Sequence, residues 1–212
     1  MSAAMGGARL RGALASLACA VVLLSTGTAA GDSRAAEPRV PVGDKSFKCI
    51  TEMSSVRHFF VDNLLGRLEE TLAVARAGKG EYPEGSVVQV MPNEVMIKQQ
   101  KGFSPATRDW EFLWIDVDKT GSKIFTRGVA EVNNRFGLNC FACHVKAKPE
   151  FDLICESDHG CDPIPVTKAM FAALQRTDPR CAGSDTVSPA DAEALKQLDE
   201  VVKALKEKKE PS

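Results

Sequence analysis

Five consecutive residues carry the most recognisable chemistry in this chain. Cys140 and Cys143 are separated by two residues, and His144 follows the second cysteine directly. C-x-x-C-H is the sequence at which a c-type haem is attached. The two thiols bond to the two vinyl groups of one porphyrin, and the adjacent histidine becomes an axial ligand of the iron. The motif therefore predicts one covalent haem c whose iron is bound by His144.

The same residues allow two other interpretations. A thioredoxin-like redox dithiol also has the C-x-x-C spacing. Half of a zinc site would use the same residue types, but the sequence has no second C-x-x-C and no paired histidines to complete it. An export signal at the N-terminus favours haem over both, because c-type haem is attached outside the bacterial cytoplasm.

The N-terminal segment has the three parts of a secretory signal. Arg9 and Arg11 are the only charges in residues 1–30, an apolar run covers residues 13–24, and small residues follow up to Ala30. A retained membrane anchor is the alternative, but a span needs about twenty apolar residues and this run is shorter. The pattern predicts a signal peptide over residues 1–30 and a periplasmic protein with no membrane association after cleavage.

Net charge and chain length limit the functional classes and domain organisations that fit the sequence. The formal net charge is -1, and loss of two arginines with residues 1–30 would make it -3. A nucleic-acid-binding protein needs a clustered basic surface, so we expect no nucleic-acid partner. Residues 31–46 are polar and contain two prolines, which predicts a flexible leader. Residues 47–212 are long enough for a single haem-binding domain.

Cysteine number adds a further prediction. Without Cys19 in the signal peptide and the two haem cysteines, four of the seven cysteines remain. An even number in an oxidising compartment favours two disulfides. We favour Cys155–Cys161, which closes a short turn-prone loop, and Cys49–Cys181, which would tie the first helix to the C-terminal region. Four free buried thiols are the alternative.

Periodicity predicts an α+β fold with a small antiparallel sheet. Apolar residues at three- and four-residue spacing predict a helix over Phe47–Ala77. A period of two then predicts strands, and caps and apolar stripes predict two C-terminal helices. The predicted strands are Ser86–Met91, Glu94–Lys98, Trp110–Ile115 and Lys123–Ala130, and the helices are Thr167–Gln175 and one entered at Ser188-Pro189. A helix start is predicted at Asn133-Asn134, before the haem motif.

The position of the haem motif excludes one common class. Small electron-transfer cytochromes of the c type are all-helical and carry the motif near the N-terminus. Here the motif lies two-thirds of the way along the chain, behind the predicted sheet.

Several short motifs in a fixed order resemble the cytochrome P-460 family. They are Tyr82-Pro83-Glu84-Gly85-Ser86-Val87-Val88, Met96-Ile97-Lys98, Gly102-Phe103, Asp109-Trp110-Glu111-Phe112, Asn139 through His144, Lys148-Pro149 and the Cys155-to-Cys161 loop. The resemblance covers about half of the mature chain. It implies a small twisted antiparallel sheet packed with helices around one c-type haem, with an open or weakly occupied sixth position on the iron.

The resemblance also implies roles for individual residues. Cys140 and Cys143 would be the thioether anchors and His144 the proximal ligand. Enzymatic members oxidise hydroxylamine and carry a lysine cross-linked to the porphyrin, for which Lys98 and Lys101 are candidates, although a lysine there also fits a solvent-facing position. Close relatives without the cross-link bind nitric oxide or other small gases.

The opposite side of the iron has several candidate ligands and neighbours. His58 fits a packed or surface histidine, and His159 lies in a loop that follows the haem motif closely. Met53, Met91, Met96 and Met170 are further candidates, each also explained as a core side chain. Trp110, Phe112 and Trp114 would form an apolar wall or plain core. Glu94 and Glu111 are candidate proton acceptors, although both also fit solvent-facing strand positions.

Three functional hypotheses follow. The first is a haem protein that binds small nitrogen oxides, with hydroxylamine oxidation as an associated reaction and a redox protein as electron partner. The second is an electron carrier with a six-coordinate haem, and the third is a small peroxidase. Binding of carbon monoxide or nitric oxide to the ferrous iron separates the first from the second.

Overall fold

The computed structural model describes residues 39–207. The predicted signal peptide and residues 31–38 of the predicted leader lie outside the described residues. The strands and helices are β1 (Ser54–Val56), β2 (Phe59–Asn63), α1 (Leu68–Ala77), β3 (Ser86–Met91), β4 (Glu94–Lys98), β5 (Trp110–Asp118), β6 (Gly121–Gly128), α2 (Cys140–His144), α3 (Lys168–Arg176) and α4 (Pro189–Glu207). Short 3₁₀ turns cover Asp44–Ser46, Ile50–Glu52, Pro105–Thr107 and Pro149–Phe151.

The six strands form an antiparallel sheet in which each strand pairs with the next along the chain. β3 and β4 have the predicted bounds, and β5 begins at Trp110 as predicted but continues to Asp118. The predicted hairpin turn joins β5 to β6, which begins and ends two residues earlier than predicted. The α+β class and the small antiparallel sheet are therefore confirmed.

The sheet separates two layers of core. Successive side chains of a strand point to opposite faces, so β5 contributes to both. Trp110 and Phe112 belong to a cluster that also contains Met96, whereas Leu113 and Ile115 belong to the cluster on the other face. Half-buried Trp114 packs against the first cluster. The predicted alternation along β5 is thus confirmed.

The helix predicted for Phe47–Ala77 is wrong over most of its length. β1 and β2 occupy its middle, and α1 forms only its end. Burial alternates along β2, where Phe59, Val61 and Asn63 are buried and the residues between them are half-buried. Backbone pairing of β2 with β3 decides the strand conformation. Gly66, at a left-handed φ of 76°, turns the chain before α1.

Residues 39–46, predicted as the end of a flexible leader, instead pack against the sheet. Val40 is buried, and its backbone N–H donates to the side-chain oxygen of Gln99 over 2.6 Å. The Asp44 carboxylate accepts a hydrogen bond from the backbone N–H of Ile124 in β6. These partners are 59 and 80 positions away along the chain, so local composition gave no sign of the packing.

Both predicted C-terminal helices are confirmed, and the second has the predicted Ser188 cap. The Thr167 hydroxyl accepts a hydrogen bond from the backbone N–H of Met170 in α3. The Ser188 hydroxyl accepts one from the first turn of α4. Met170 and Leu198 lie in one buried cluster, which joins the two helices to each other. None of the helices in residues 39–207 is long and apolar enough to cross a membrane.

Two disulfides have the connectivity that the sequence favours. Cys49 and Cys181 are joined by an S–S bond of 2.05 Å across 132 positions, and Cys155 is joined to Cys161 across six. Loop-closure entropy assigns about 5 kcal/mol to the long link and about 2 kcal/mol to the short one. Cys49 precedes a 3₁₀ turn rather than lying in a helix, so the long link ties the segment before β1 to the chain after α3.

Candidate functional site

The C-x-x-C-H motif forms the short helix α2. Asn139 caps it, because its side-chain oxygen accepts a hydrogen bond from the backbone N–H of Ala142 over 2.9 Å. The side-chain amide of Asn139 donates to the carbonyl of Ala130 over 2.6 Å, which anchors the helix start to the chain after β6. The helix start predicted at Asn133-Asn134 is wrong, since Asn134 accepts hydrogen bonds within a turn instead.

The two cysteines of the motif are unpaired and lie one helical turn apart. Cys140 and Cys143 are the free cysteines among the described residues. Residues three positions apart share one helix face, so both thiols can reach the same group. Burial raises the pKa of the Cys140 thiol to about 12, helped by the nearby charge of Glu94, and burial also raises the pKa of Cys143.

Two observations favour haem attachment over the two alternative sites. A reactive dithiol needs a lowered thiol pKa, and burial shifts the pKa of Cys140 in the opposite direction. In the described part of the chain, the ligand-type side chains close enough to hold a metal ion together are those of Cys49, Asp178 and Cys181. The two sulfurs of that group are bonded to each other, so they are not thiolate ligands.

The ring of His144 has a defined hydrogen bond and tautomer. Its Nδ1 lies 2.7 Å from the backbone carbonyl oxygen of Leu153. A carbonyl oxygen only accepts, so Nδ1 carries the proton and the lone pair is on Nε2. Burial lowers the pKa of the ring, which keeps it neutral. A neutral imidazole with one nitrogen bound to a carbonyl is the usual form of a histidine ligand.

Aromatic side chains of the sheet surround His144. The ring centroid of Phe112 lies 5.4 Å from that of His144 and 6.3 Å from that of Phe141. Phe112 and Trp110 are buried in the core, which agrees with the alternative of plain core side chains, and a wall facing the haem stays a prediction. Trp114 on the same strand face is half-buried at its margin.

Glu94 lies on this face and is not the solvent-facing carboxylate that its position suggested. It pairs in register with Trp114. Its Oε1 is buried without a hydrogen-bond partner. Burial raises the pKa of Glu94 to about 7, although the backbone N–H and the charge of Arg135 oppose the shift. Glu94 is therefore a buried group that can hold or release a proton near neutral pH.

Glu111 is also fully buried, contrary to expectation, but it lies on the other face of the sheet. Its carboxylate accepts hydrogen bonds from Arg127 over 2.6 and 2.8 Å and from the Gln99 amide over 2.7 Å. Arg39 lies 3.3 Å from the same carboxylate. Side chains on the face opposite Phe112 do not reach His144, so Glu111 is removed from the candidate site.

The two candidate lysines differ completely in environment. Lys98 is buried, with its Nζ 2.9 and 2.8 Å from the two carboxylate oxygens of Asp152. The expectation of a solvent-facing lysine is therefore wrong at this position. Lys101 is exposed.

The other histidines have separate roles. His58 lies in the turn between β1 and β2, half-exposed, rather than in a helix. His159 is buried, stacks on Phe151 at 3.7 Å between ring centroids, and bonds through Nδ1 to the carbonyl of Ile154. Leu153 and Ile154, which bind the two imidazoles, are adjacent. His159 is therefore anchored to the same backbone segment as His144.

The candidate methionines are all buried. Met53, Met91 and Met170 lie in clusters away from Phe112. Met96 lies in the cluster that contains Phe112 and faces it across the β4–β5 ladder. Met96 is therefore the methionine that the fold brings to the candidate site.

Sequence reasoning missed two residues of the site, Asp152 and Leu153. Asp152 pairs with Lys98, and Leu153 contributes only its backbone carbonyl. A backbone carbonyl has no residue-type signal, so nothing in the sequence could identify Leu153. The polar Asp152 among apolar neighbours was the one available hint.

Comparison with known proteins adds no identification. No protein-family model, no curated protein and no solved structure matches this chain. The cytochrome P-460 resemblance stays a prediction, and the function of the chain is argued from the geometry around Cys140, Cys143 and His144.

Proposed function

We propose that this protein is a periplasmic monohaem c-type cytochrome. The observation that carries the proposal is the hydrogen bond from His144 Nδ1 to the Leu153 carbonyl, which leaves Nε2 free as a metal ligand beside two unpaired thiols. Cys140 and Cys143 would hold the porphyrin as thioethers. The pairing of the other four described cysteines supports this assignment, since it leaves the two motif thiols outside any disulfide.

The residues around the motif would orient and shield the group. Haem c, if bound, would supply a redox-active iron able to take a small ligand, with His144 as its protein ligand. The Asn139 cap fixes the start of α2, and the Leu153 carbonyl fixes the direction of the His144 ring. Phe112 packs against the ring, which favours a fixed orientation of Nε2.

We further propose that the ligand is a small nitrogen oxide such as nitric oxide. His159 is anchored on the same backbone segment as His144, which supports a position on the proximal side and a sixth site without a histidine. Glu94 supports proton exchange near neutral pH, which oxidation of hydroxylamine requires. The pairing of Lys98 with Asp152 favours a haem without a cross-link at that lysine, and so favours ligand binding over hydroxylamine oxidation.

Optical spectroscopy of protein made in a host competent for c-type haem attachment tests the proposal. We expect a covalent haem, and a ferrous spectrum that changes when carbon monoxide or nitric oxide is added. His144→Ala should lose the proximal ligand, while the matched control His58→Ala should behave as the unaltered protein. A colourless product in which both motif thiols react with an alkylating reagent would contradict the proposal.

A six-coordinate electron carrier is the second candidate, and the position of Met96 favours it. Met96 is buried in the cluster that contains Phe112, whereas Met53, Met91 and Met170 lie in other clusters. In that case the ferrous iron would be low-spin and would not take carbon monoxide. Met96→Leu would then open the sixth position to carbon monoxide, whereas Met170→Leu would not.

A further inference from the structure

We infer that Lys98 and Asp152 position His144 by fixing the backbone turn whose carbonyl binds its ring. The inference rests on the proposed function, since it concerns the proximal ligand of the proposed haem. Lys98 Nζ lies 2.8 Å from Asp152 Oδ2, Leu153 follows Asp152 directly, and the Leu153 carbonyl lies 2.7 Å from His144 Nδ1. Three short steps thus connect a lysine of β4 to the histidine of α2.

The turn is one that the backbone does not adopt without support. Asp152 has φ 48° and Leu153 has φ 64°, so two consecutive non-glycine residues are left-handed. Each such residue costs roughly 1–2 kcal/mol relative to a right-handed conformation. Side-chain contacts must offset this cost if the Leu153 carbonyl is to keep its direction.

The Asp152 carboxylate supplies those contacts from two separate parts of the fold. It accepts two hydrogen bonds from Lys98 at the end of β4 and one, over 2.9 Å, from the backbone N–H of Tyr82. The side chains of Lys98 and Asp152 are only 4% and 3% exposed, so water does not compete for either charge. The Lys98 Nζ also lies 5.2 Å from the ring centroid of Trp110.

The direction of the Leu153 carbonyl matters for the metal. A hydrogen bond from the second ring nitrogen fixes the orientation of a histidine ligand and strengthens its bond to the metal. A looser turn would weaken the bond at Nδ1, make Nε2 a poorer donor and raise the reduction potential of the iron. Lys98 is therefore assigned as a positioning residue and not as a group that bonds to the porphyrin.

The test compares two variants of the full-length holoprotein, Lys98→Met and the double variant Lys98→Met/Asp152→Asn. The first leaves a buried carboxylate without its cation, whereas the second carries no unpaired charge and recovers stability. Exchange of the His144 Nδ1 proton is followed by NMR in the diamagnetic ferrous state, with carbon monoxide added where it binds. Since one hydrogen bond contributes about 1 kcal/mol, we expect exchange about five- to tenfold faster in both variants.

The double variant separates positioning from mere stabilisation. If it recovers the melting temperature yet keeps fast exchange and a raised potential, the inference is supported. Exchange at the unaltered rate in that variant would overturn it, because the pair would then only stabilise the fold. Lys123→Met, which removes an exposed strand lysine, is the matched control and should change neither quantity. A wild-type protein without covalent haem would overturn the proposed function itself, and the inference with it.

Discussion

Two ion pairs with buried carboxylates lie on opposite faces of the same sheet, and they differ in the structural elements that they connect. Lys98 of β4 pairs with Asp152 on the face that carries Phe112, and Glu111 of β5 pairs with Arg127 on the other face. Their carboxylates are 3% and 0% exposed, so both charges are removed from water to a similar degree. The cations differ more, since the Lys98 side chain is 4% exposed and the Arg127 side chain is 28% exposed.

The elements that the two pairs connect are not the same. Glu111 and Arg127 belong to neighbouring strands whose backbones are already fixed by ladder hydrogen bonds. Asp152 belongs to an irregular, left-handed turn. An ion pair between two strands stabilises a backbone whose conformation the sheet already fixes. An ion pair with a residue of an irregular turn also fixes the direction of a backbone carbonyl in that turn. For this reason the Lys98–Asp152 pair, and not the Glu111–Arg127 pair, is linked to the orientation of His144.

The largest effect is expected for Asp152→Ala. The substitution leaves the Lys98 cation buried and the Tyr82 N–H without its acceptor. Breaking a buried pair in this way should lower the free energy of unfolding by about 3–5 kcal/mol, measured by urea denaturation. Asp152→Asn keeps an acceptor for Tyr82 and should lose less. Equal losses in the two variants would contradict the importance of that acceptor.

Glu94→Gln tests a carboxyl whose Oε1 is buried without a hydrogen-bond partner, and this substitution is expected to stabilise the fold rather than destabilise it. The pKa of Glu94 is raised to about 7 in the folded protein, so folding is favoured while the group is protonated and stability is lost as pH rises to that value. A neutral glutamine avoids the loss. Above neutral pH the variant should be about 3 kcal/mol more stable, and the gain should vanish at about pH 4. Urea denaturation across this pH range measures both the gain above neutral pH and its loss in acid. A gain in stability that persists in acid would contradict a raised pKa of Glu94 as its cause.

Arg127→Met breaks the pair that links two strands and should have a moderate effect. Glu111 keeps its hydrogen bond from Gln99 and its contact with Arg39, so the loss should be about 1–2 kcal/mol. Exchange of the His144 ring proton should stay unchanged. A faster exchange in this variant would remove the distinction between the two pairs.

Asn139→Ala is expected to have the smallest effect, since it removes an uncharged contact at the site. Loss of the α2 cap should cost about 1 kcal/mol in urea denaturation. The reduction potential should move less than in Lys98→Met, because the Leu153 carbonyl is not disturbed. Asn139→Asp keeps a capping oxygen and serves as the control.

The parts of the fold that could be predicted from sequence are those with unambiguous periods and caps. The β-branched run of β3 and the alternation at the start of β5 indicated strands, and the Ser188 cap marked the start of α4. Residues 47–77 could not be assigned, because their apolar spacing fits both a helix and a strand followed by a turn. Pairing of β2 with β3, whose partners lie 23 (Asn63 and Ser86) or more positions apart, decided the conformation of that region.

At the site, the residues that were identified are those close together in sequence. The two motif cysteines, His144 and the Cys155–Cys161 link all follow from short spacings. The environments of Lys98, Glu94 and Glu111 were predicted wrongly, because a charged strand residue ordinarily faces water. Asp152 lies 54 positions from Lys98, and no local pattern reports a partner at that distance.

The amino-acid sequence alone determined which reactive groups exist and how far apart they are, since covalent spacing fixes two thiols and an imidazole on one helical turn. The tertiary structure alone decided which ring nitrogen of His144 carries the proton, because that depends on the Leu153 carbonyl. It also decided that Lys98 is buried in an ion pair. Hydrogen bonds to the backbone and exclusion of water arise from segments that are distant in sequence, and residue type and spacing do not encode them locally.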